Sequence, residues 1–303
     1  MCDQRPDEAV RERAKRSLSA LGGMCGDKDV GEAKAVVELL RNQRDYELMG
    51  CLAEAVSRQD PEDARNRRLY AQYLIDTGKV TAAIDVLQVL KRRLAKDHPE
   101  FGEATGLLGR AYKQIFLDAG DKSTAGARQA LKMAIEAYRG PYQQDGSTWH
   151  GVNLVALLTR ARSPGLRMAP GLDPAAIAGQ VVATLQAKPA EQRDEWFLPT
   201  LAEASLGLRD WDVIERNIEQ YVAAGDVKEF QIASTLRQFT EVWDLENRDE
   251  RGRALVDMLR ARLLRLQGGG LRLSPAELQR VQARPTPCEG RLEAILGTYG
   301  AQT

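Results

Sequence analysis

Histidine and cysteine are scarce in this chain of 303 residues, which holds two of the first and four of the second. His98 stands beside Pro99 and His150 beside Trp149, far apart in the sequence. A metal centre needs several such ligands at short, regular spacing, so none is expected. Cys2, Cys25, Cys51 and Cys288 include no C-x-x-C pair. That excludes a disulfide framework and a zinc pattern, and leaves reduced thiols as in a cytosolic protein. No Gly-x-Ser-x-Gly motif is present to set up a nucleophile, and Gly268-Gly269-Gly270 has no Lys-Ser/Thr behind it to cradle phosphate. We therefore expect no enzyme and no cofactor, with His150 a helix-entry residue packed against Trp149 rather than a catalytic base.

Excess charge is missing too. Lysine plus arginine total 43 and aspartate plus glutamate total 43, so nothing pulls the whole chain toward nucleic acid or an anionic membrane. No apolar run approaches the ~18 residues of a membrane span, and no charged-then-apolar leader opens the chain. The expectation is a soluble, cytoplasmic protein with neither nucleic acid nor membrane as partner. Sustained period-two alternation is absent as well, so essentially no sheet is expected.

What the chain does have is helical periodicity that repeats. Ala33, Val36, Val37 and Leu40 share one face, followed by Tyr46, Met49, Ala53 and Val56 on a partner helix. Tyr70, Ala71 and Leu74, then Val80, Ala83, Leu87 and Leu90, repeat the pattern. Arg44, Asp45-Tyr46 and Met49 overlie Gly78, Lys79-Val80 and Ala83 at the 34-residue period of a tetratricopeptide repeat. Pro61 and Pro99 close the two copies, the second about four residues longer. A third copy starts around Leu107–Tyr112 and is overlong, so lengthened helices around the Gly120-Asp121 turn are expected. Trp149 to Leu158 opens another helix. Asp173-Pro174 caps the next, which carries Ile177, Val181, Val182 and Leu185. Trp196 to Tyr221 forms a further hairpin, in which Asp210-Trp211 matches Asp45-Tyr46. Phe230–Leu245 and Ala254–Leu266 make one more pair. Because a single hairpin cannot bury its apolar face alone, the pairs must stack.

The fold class is thus all-α, a tetratricopeptide-like solenoid of helical hairpins over residues 30–266. Residues 1–29 are expected to form an N-terminal helix or cap, with a helix over 6–21 ended by Gly22-Gly23. A Pro/Gly-rich stretch at 163–174 is expected to act as a hinge. Residues 267–303 are expected to hold C-terminal capping helices, with a capping box at Ser274–Glu277.

In such solenoids the inner wall is lined by first-helix side chains that do not enter the hairpin core. The repeat register puts Lys34, Glu38, Arg41 and Asn42 there from the first copy, and Arg65, Arg68, Gln72 and Asp76 from the second. Arg110, Lys113 and Gln114 follow from the third. This basic wall with interspersed amides suits an acidic peptide or carboxylates through charge-assisted bonds. Lys34, Arg41, Arg65, Arg68, Gln72, Arg110, Lys113 and Gln114 are the candidate partner-binding residues. It is not the carboxylate clamp of chaperone-binding repeats, since Glu103 and Leu107 stand where that clamp has a base and a polar group. A solvated charged face accounts for the same pattern, and so does a sensor that takes a small anionic ligand or nucleotide. Tyr46, Tyr70, Tyr112, Tyr138, Trp196 and Trp211 are expected in hairpin cores.

The segment Trp149-His150-Gly151-Val152-Asn153, with the apolar run to Leu158, resembles the TRAFs-binding domain. Leu107–Phe116, Trp196–Tyr221 and the Phe230–Leu245 helix follow in the order of that family. It is the tetratricopeptide-like central regulatory region of apoptosis-signal-regulating mitogen-activated protein kinase kinase kinases, and it occurs in bacterial proteins. The resemblance covers about residues 30–266 and implies a non-catalytic scaffold that positions a signalling or effector enzyme. In bacterial relatives it implies a peptidase as neighbour in stress or defence settings, with this chain as scaffold or as a protease's substrate or regulatory arm. Neither a kinase nor a peptidase signature is present in this chain. The oligomeric state is not legible.

Overall fold

Three successive apolar clusters, not one, hold the chain together, as expected where each unit touches mainly its neighbours. The computed structural model describes residues 8–23, 26–162 and 172–267. Two compact units divide the chain after Gly268, and the described residues all belong to the first. Among them are fourteen α-helices and no strand. Helix α1 (Glu8–Leu21) packs on the first hairpin, α2 (Asp27–Asn42) with α3 (Tyr46–Gln59). Then come α4 (Ala64–Asp76) with α5 (Val80–Arg93), α6 (Pro99–Asp118) with α7 (Ala125–Asp145), and α8 (Thr148–Ala161) with α9 (Pro174–Gln186). α10 (Phe197–Leu208) pairs with α11 (Trp211–Ala223). α12 (Glu229–Arg237), α13 (Leu245–Arg248) and α14 (Glu250–Leu266) complete the series.

The 34-residue register is written into the backbone. Arg44, Gly78 and Arg209 have φ of 58°, 78° and 59°, so the equivalent turn residue is left-handed in three hairpins. In each, the residue after it donates its N–H back to the first helix: Asp45 to Leu40, Lys79 to Leu74 and Asp210 to Ser205. This is the Schellman closure, which satisfies the last carbonyls of the first helix while reversing the chain. Asp63, Thr124 and Asp210 then cap helices through their side-chain oxygens.

Close packing rests on small residues. Ala71 and Ala83 are fully buried between α4 and α5. Gly50 lies against the Tyr73 ring, Gly106 against Trp149, Gly109 against Tyr138, and Gly207 against Val155 and Ala178. A methyl group at any of these would overlap a ring or side chain of the neighbouring helix. The overlong third copy is resolved as expected, by two helices of 20 and 21 residues around a turn at 119–124.

The first helix runs from Glu8, the first described residue, to Leu21. One expectation changes: Phe230–Leu245 is not one helix. α12 stops at Arg237, a single π-helical turn spans Gln238–Val242, and Asp244 takes a left-handed φ of 56° before α13. Most of the proposed hinge, residues 163–171, lies outside the described residues, as do the expected C-terminal helices of 268–303.

Candidate functional site: an inner wall with a helix laid along it

The first helices of the hairpins, α2, α4, α6, α8 and α10, present polar side chains to one side, and the α12 segment runs across them. Its order of contacts follows the order of the repeats. At its start, Glu229 accepts from Arg44 Nη1 at 3.3 Å, just after α2. Phe230 has the Arg41 guanidinium 4.4 Å from its ring centroid, and Trp196 packs edge-on against its other side. A cation over an aromatic face in such a half-buried place contributes about 0.5–2 kcal/mol. One helix end further on, Arg237 Nη1 donates to Asp76 of α4 at 3.0 Å. Gln238 then accepts from Lys113 of α6 at 2.7 Å, and donates to Asn153 of α8 at 3.3 Å and to Glu203 of α10 at 2.6 Å. Trp243 Nε1 donates to the same Glu203 oxygen at 2.9 Å.

The π turn makes this possible. Its wider winding carries Phe239 and Val242 into the apolar core while Gln238 stays on the polar side. A regular helix would rotate the following residues and break one of the two alignments.

The electrostatics at the centre are those of paired charges in a dry place. Asp76 has a side chain only 1% exposed and contacts both Arg110 and Arg237. Burial alone would raise its pKa, but the two guanidiniums outweigh it and hold the carboxyl below its usual range. Lys113 is buried, with its ammonium bonded to Asn153 Oδ1 at 3.0 Å and 5.9 Å from the Tyr138 ring centroid. Burial pulls its pKa down to about 7. Glu203 is buried as well, and its carboxyl is pushed up by the same cause. The Gln238 amide sits between these two groups, acceptor toward the ammonium and donor toward the carboxylate.

The candidate residues therefore divide. Arg41 and Gln72 are brought together, Arg41 Nε donating to Gln72 Oε1 at 3.1 Å. Arg68 is buried and pairs with Glu100, and Arg110 pairs with Asp76. The expectation that Arg68, Arg110 and Lys113 face an open groove is not met. Neighbouring acids and the α12 segment cover them, so variants there report on folding. Gln114 turns along its own helix and donates to Asp118 at 2.8 Å. Among the described residues Lys34 is half-buried and Arg65 largely exposed. A cavity of about 340 Å³ is lined by Lys34, Ala35, Glu38, Asp63, Arg65, Asn66 and Leu69. Lys34 bridges Asp60 and Asp63 at 2.8 and 2.6 Å, and Arg65 reaches Glu38 at 2.7 Å.

Sequence reasoning missed Asn153, Glu203, Glu229, Arg237 and Gln238. A signal existed for two of them: Asn153 is the one polar residue in Val152–Leu158, and Glu203 the one charge in Leu201–Leu206. A polar side chain in such a run must find a buried partner. His150 is buried and bonded to Ser147 and Gly102, and burial lowers its pKa. Among the described residues no group of His, Cys, Asp and Glu could hold a metal ion, and no helix is long and apolar enough to cross a membrane.

Helix pairs closed by repeated Schellman turns, with a polar inner wall, define an all-α tetratricopeptide-like solenoid. The comparisons agree on that class. A family model described as Tetratricopeptide Repeats-Sensor matches residues 45–158. A thermophilic tetratricopeptide protein of Thermus thermophilus superposes with a TM-score of 0.50 at 16% identity, over 68% of this chain and 98% of that one. Mitogen-activated protein kinase kinase kinase 15 of Mus musculus is 33% identical over 126 residues, which are 39% of this chain. The match spans only 9% of that kinase's length.

Proposed function

We propose that this chain is a non-catalytic protein-interaction module that positions a signalling or effector enzyme, a role of the TRAFs-binding type. The observation that carries this reading is the inner wall itself, whose side chains from five successive hairpins or their turns already grip a helical segment. The similarity to part of a kinase kinase kinase supports a place in signalling. The partner would be a protein or acidic peptide, and Lys34 and Arg65 are where it would first meet the wall. Residues 30–266 would form the working unit, with α1 as its cap. The test is affinity purification with mass spectrometry, comparing the native chain with Lys34→Glu/Arg65→Glu. A partner captured by the native chain and lost by the variant, at equal melting temperature, supports the reading. Identical capture by both rejects that part of the wall.

A second reading is a sensor for a small anionic ligand or nucleotide. The description of the matching family model favours it, as does the gathering of Arg110 and Arg237 on one buried acid, Asp76. A thermal-shift panel of nucleotides separates the two: a shift of several degrees favours the sensor, and a flat panel rejects it.

A further inference from the structure

We propose that Glu229–Trp243 is a resident ligand of the inner wall, exchanged for a partner's helix that presents an acid and an aromatic in its first turn and an amide about two turns further on. This rests on the interaction-module reading and names the chemistry of the partner.

Three observations point the same way. Ile232, Phe239 and Val242 anchor the segment in the apolar core, and the contacts that distinguish it from any other apolar helix are polar or cation–aromatic: Glu229, Phe230, Arg237, Gln238 and Trp243. Charged and hydrogen-bonded groups buried in this way specify which helix lies there more than they stabilise it. A helix that matches both this polar pattern and the apolar anchors can therefore compete for the wall. Second, the segment is bounded by irregular backbone. A π turn interrupts it, and Asp244 adopts a left-handed conformation that L-residues rarely take. Such local strain is a common mark of a movable element. Third, its fit to the wall is incomplete. Where its first turn meets the wall, Gln43 Oε1 and Arg44 Nε are buried without a hydrogen-bond partner, and the Tyr46 hydroxyl has only the Arg44 guanidinium beside it. The Tyr46 ring is within the field of Asp76, Arg44 and Arg237, the residues at that junction. An incoming helix with a longer or second acidic group at its start would accept from Arg44 Nε and the Tyr46 hydroxyl.

The wall also states its preference. Arg41 and Arg44 select for acid and aromatic at the first turn. Lys113 and Glu203 together select for a group that accepts from one and donates to the other, and an amide does both from two atoms set apart, as the Gln238 side chain does here.

The test uses the full chain and a fluorescein-labelled synthetic peptide of residues 227–244. In Glu229→Lys/Phe230→Ala the resident segment is weakened while the wall is unchanged. Fluorescence anisotropy should show the peptide binding this variant at least tenfold more tightly than the native chain. A peptide carrying Glu229→Lys should bind neither. Equal affinity for both proteins, or binding to neither with the variant's circular dichroism intact, overturns the proposal. Should the variant fail to fold, hydrogen exchange on the native chain decides. Amides of residues 231–243 should exchange at least a hundredfold faster than those in the middle of α6 and α8, and equal protection overturns the proposal. Loss of a partner in the purification above with no exchange here would refute the resident ligand alone.

Discussion

Arg237 Nη1 lies 3.0 Å from Asp76 Oδ1 across 161 residues of sequence, and Arg110 holds the same oxygen. One almost fully buried carboxylate thus joins the second hairpin, the third and the α12 segment.

Removing that carboxylate leaves two guanidiniums facing each other out of water. Asp76→Asn should destabilise the chain by about 3–5 kcal/mol, the cost of an uncompensated buried charge. Urea denaturation followed by circular dichroism measures it. A loss below about 1 kcal/mol would mean that the arginines reach solvent.

Gln238→Ala removes the amide between Lys113 and Glu203. The two groups keep Asn153 and Trp243 but lose their link, so a loss of about 2–3 kcal/mol is expected. Gln238→Glu should be worse, since it sets a second carboxylate beside Glu203. Equal stability of the two variants would contradict the assigned donor and acceptor.

The buried ammonium carries a pH signature. Arg110, Arg237, Glu203 and Glu241 face Lys113, and burial lowers its pKa from 10.5 to about 7. Between those values the unfolded chain holds more protons than the folded one. Stability from this site therefore rises as pH goes up from about 7 and falls as pH comes down toward it. The difference between the native chain and Lys113→Met should grow by on the order of 1 kcal/mol per pH unit over that window. A pH-independent difference would place the ammonium in water.

Two glycines inside helices should respond oppositely to alanine. At Gly106 a methyl would enter the Trp149 ring, so Gly106→Ala should lower stability by about 2 kcal/mol. Nothing lies within 4 Å of a methyl at Gly179 in α9, where Gly179→Ala should raise stability by about 0.5–1 kcal/mol through helix propensity alone. Thermal melts of the two variants read the difference directly.

The hairpins were legible because their signals are local. The overlay of Arg44 on Gly78 and the match of Asp45 with Asp210 were enough to register the turns that the backbone repeats. The inner-wall positions followed from that register, and Arg41, Gln72, Asp76, Arg110 and Lys113 do meet or adjoin one another there. Their covering was not legible. Glu229 and Phe230 look like an ordinary helix start, and no periodicity announces that they return to α2. The π turn is invisible for the same reason. Its hydrogen bond shifts by one residue to suit Lys113, Asn153 and Glu203, which lie on three other helices. Burial of Arg68 likewise depends on Glu100 one hairpin later.

The most direct test of the filled wall is a double-mutant cycle between Asp76 and Arg237, built from Asp76→Asn, Arg237→Met and the pair. If the α12 segment lies where it is described, the two changes should couple by at least about 1 kcal/mol in urea unfolding. Additivity within about 0.3 kcal/mol would put Arg237 away from α4 and leave the inner wall open.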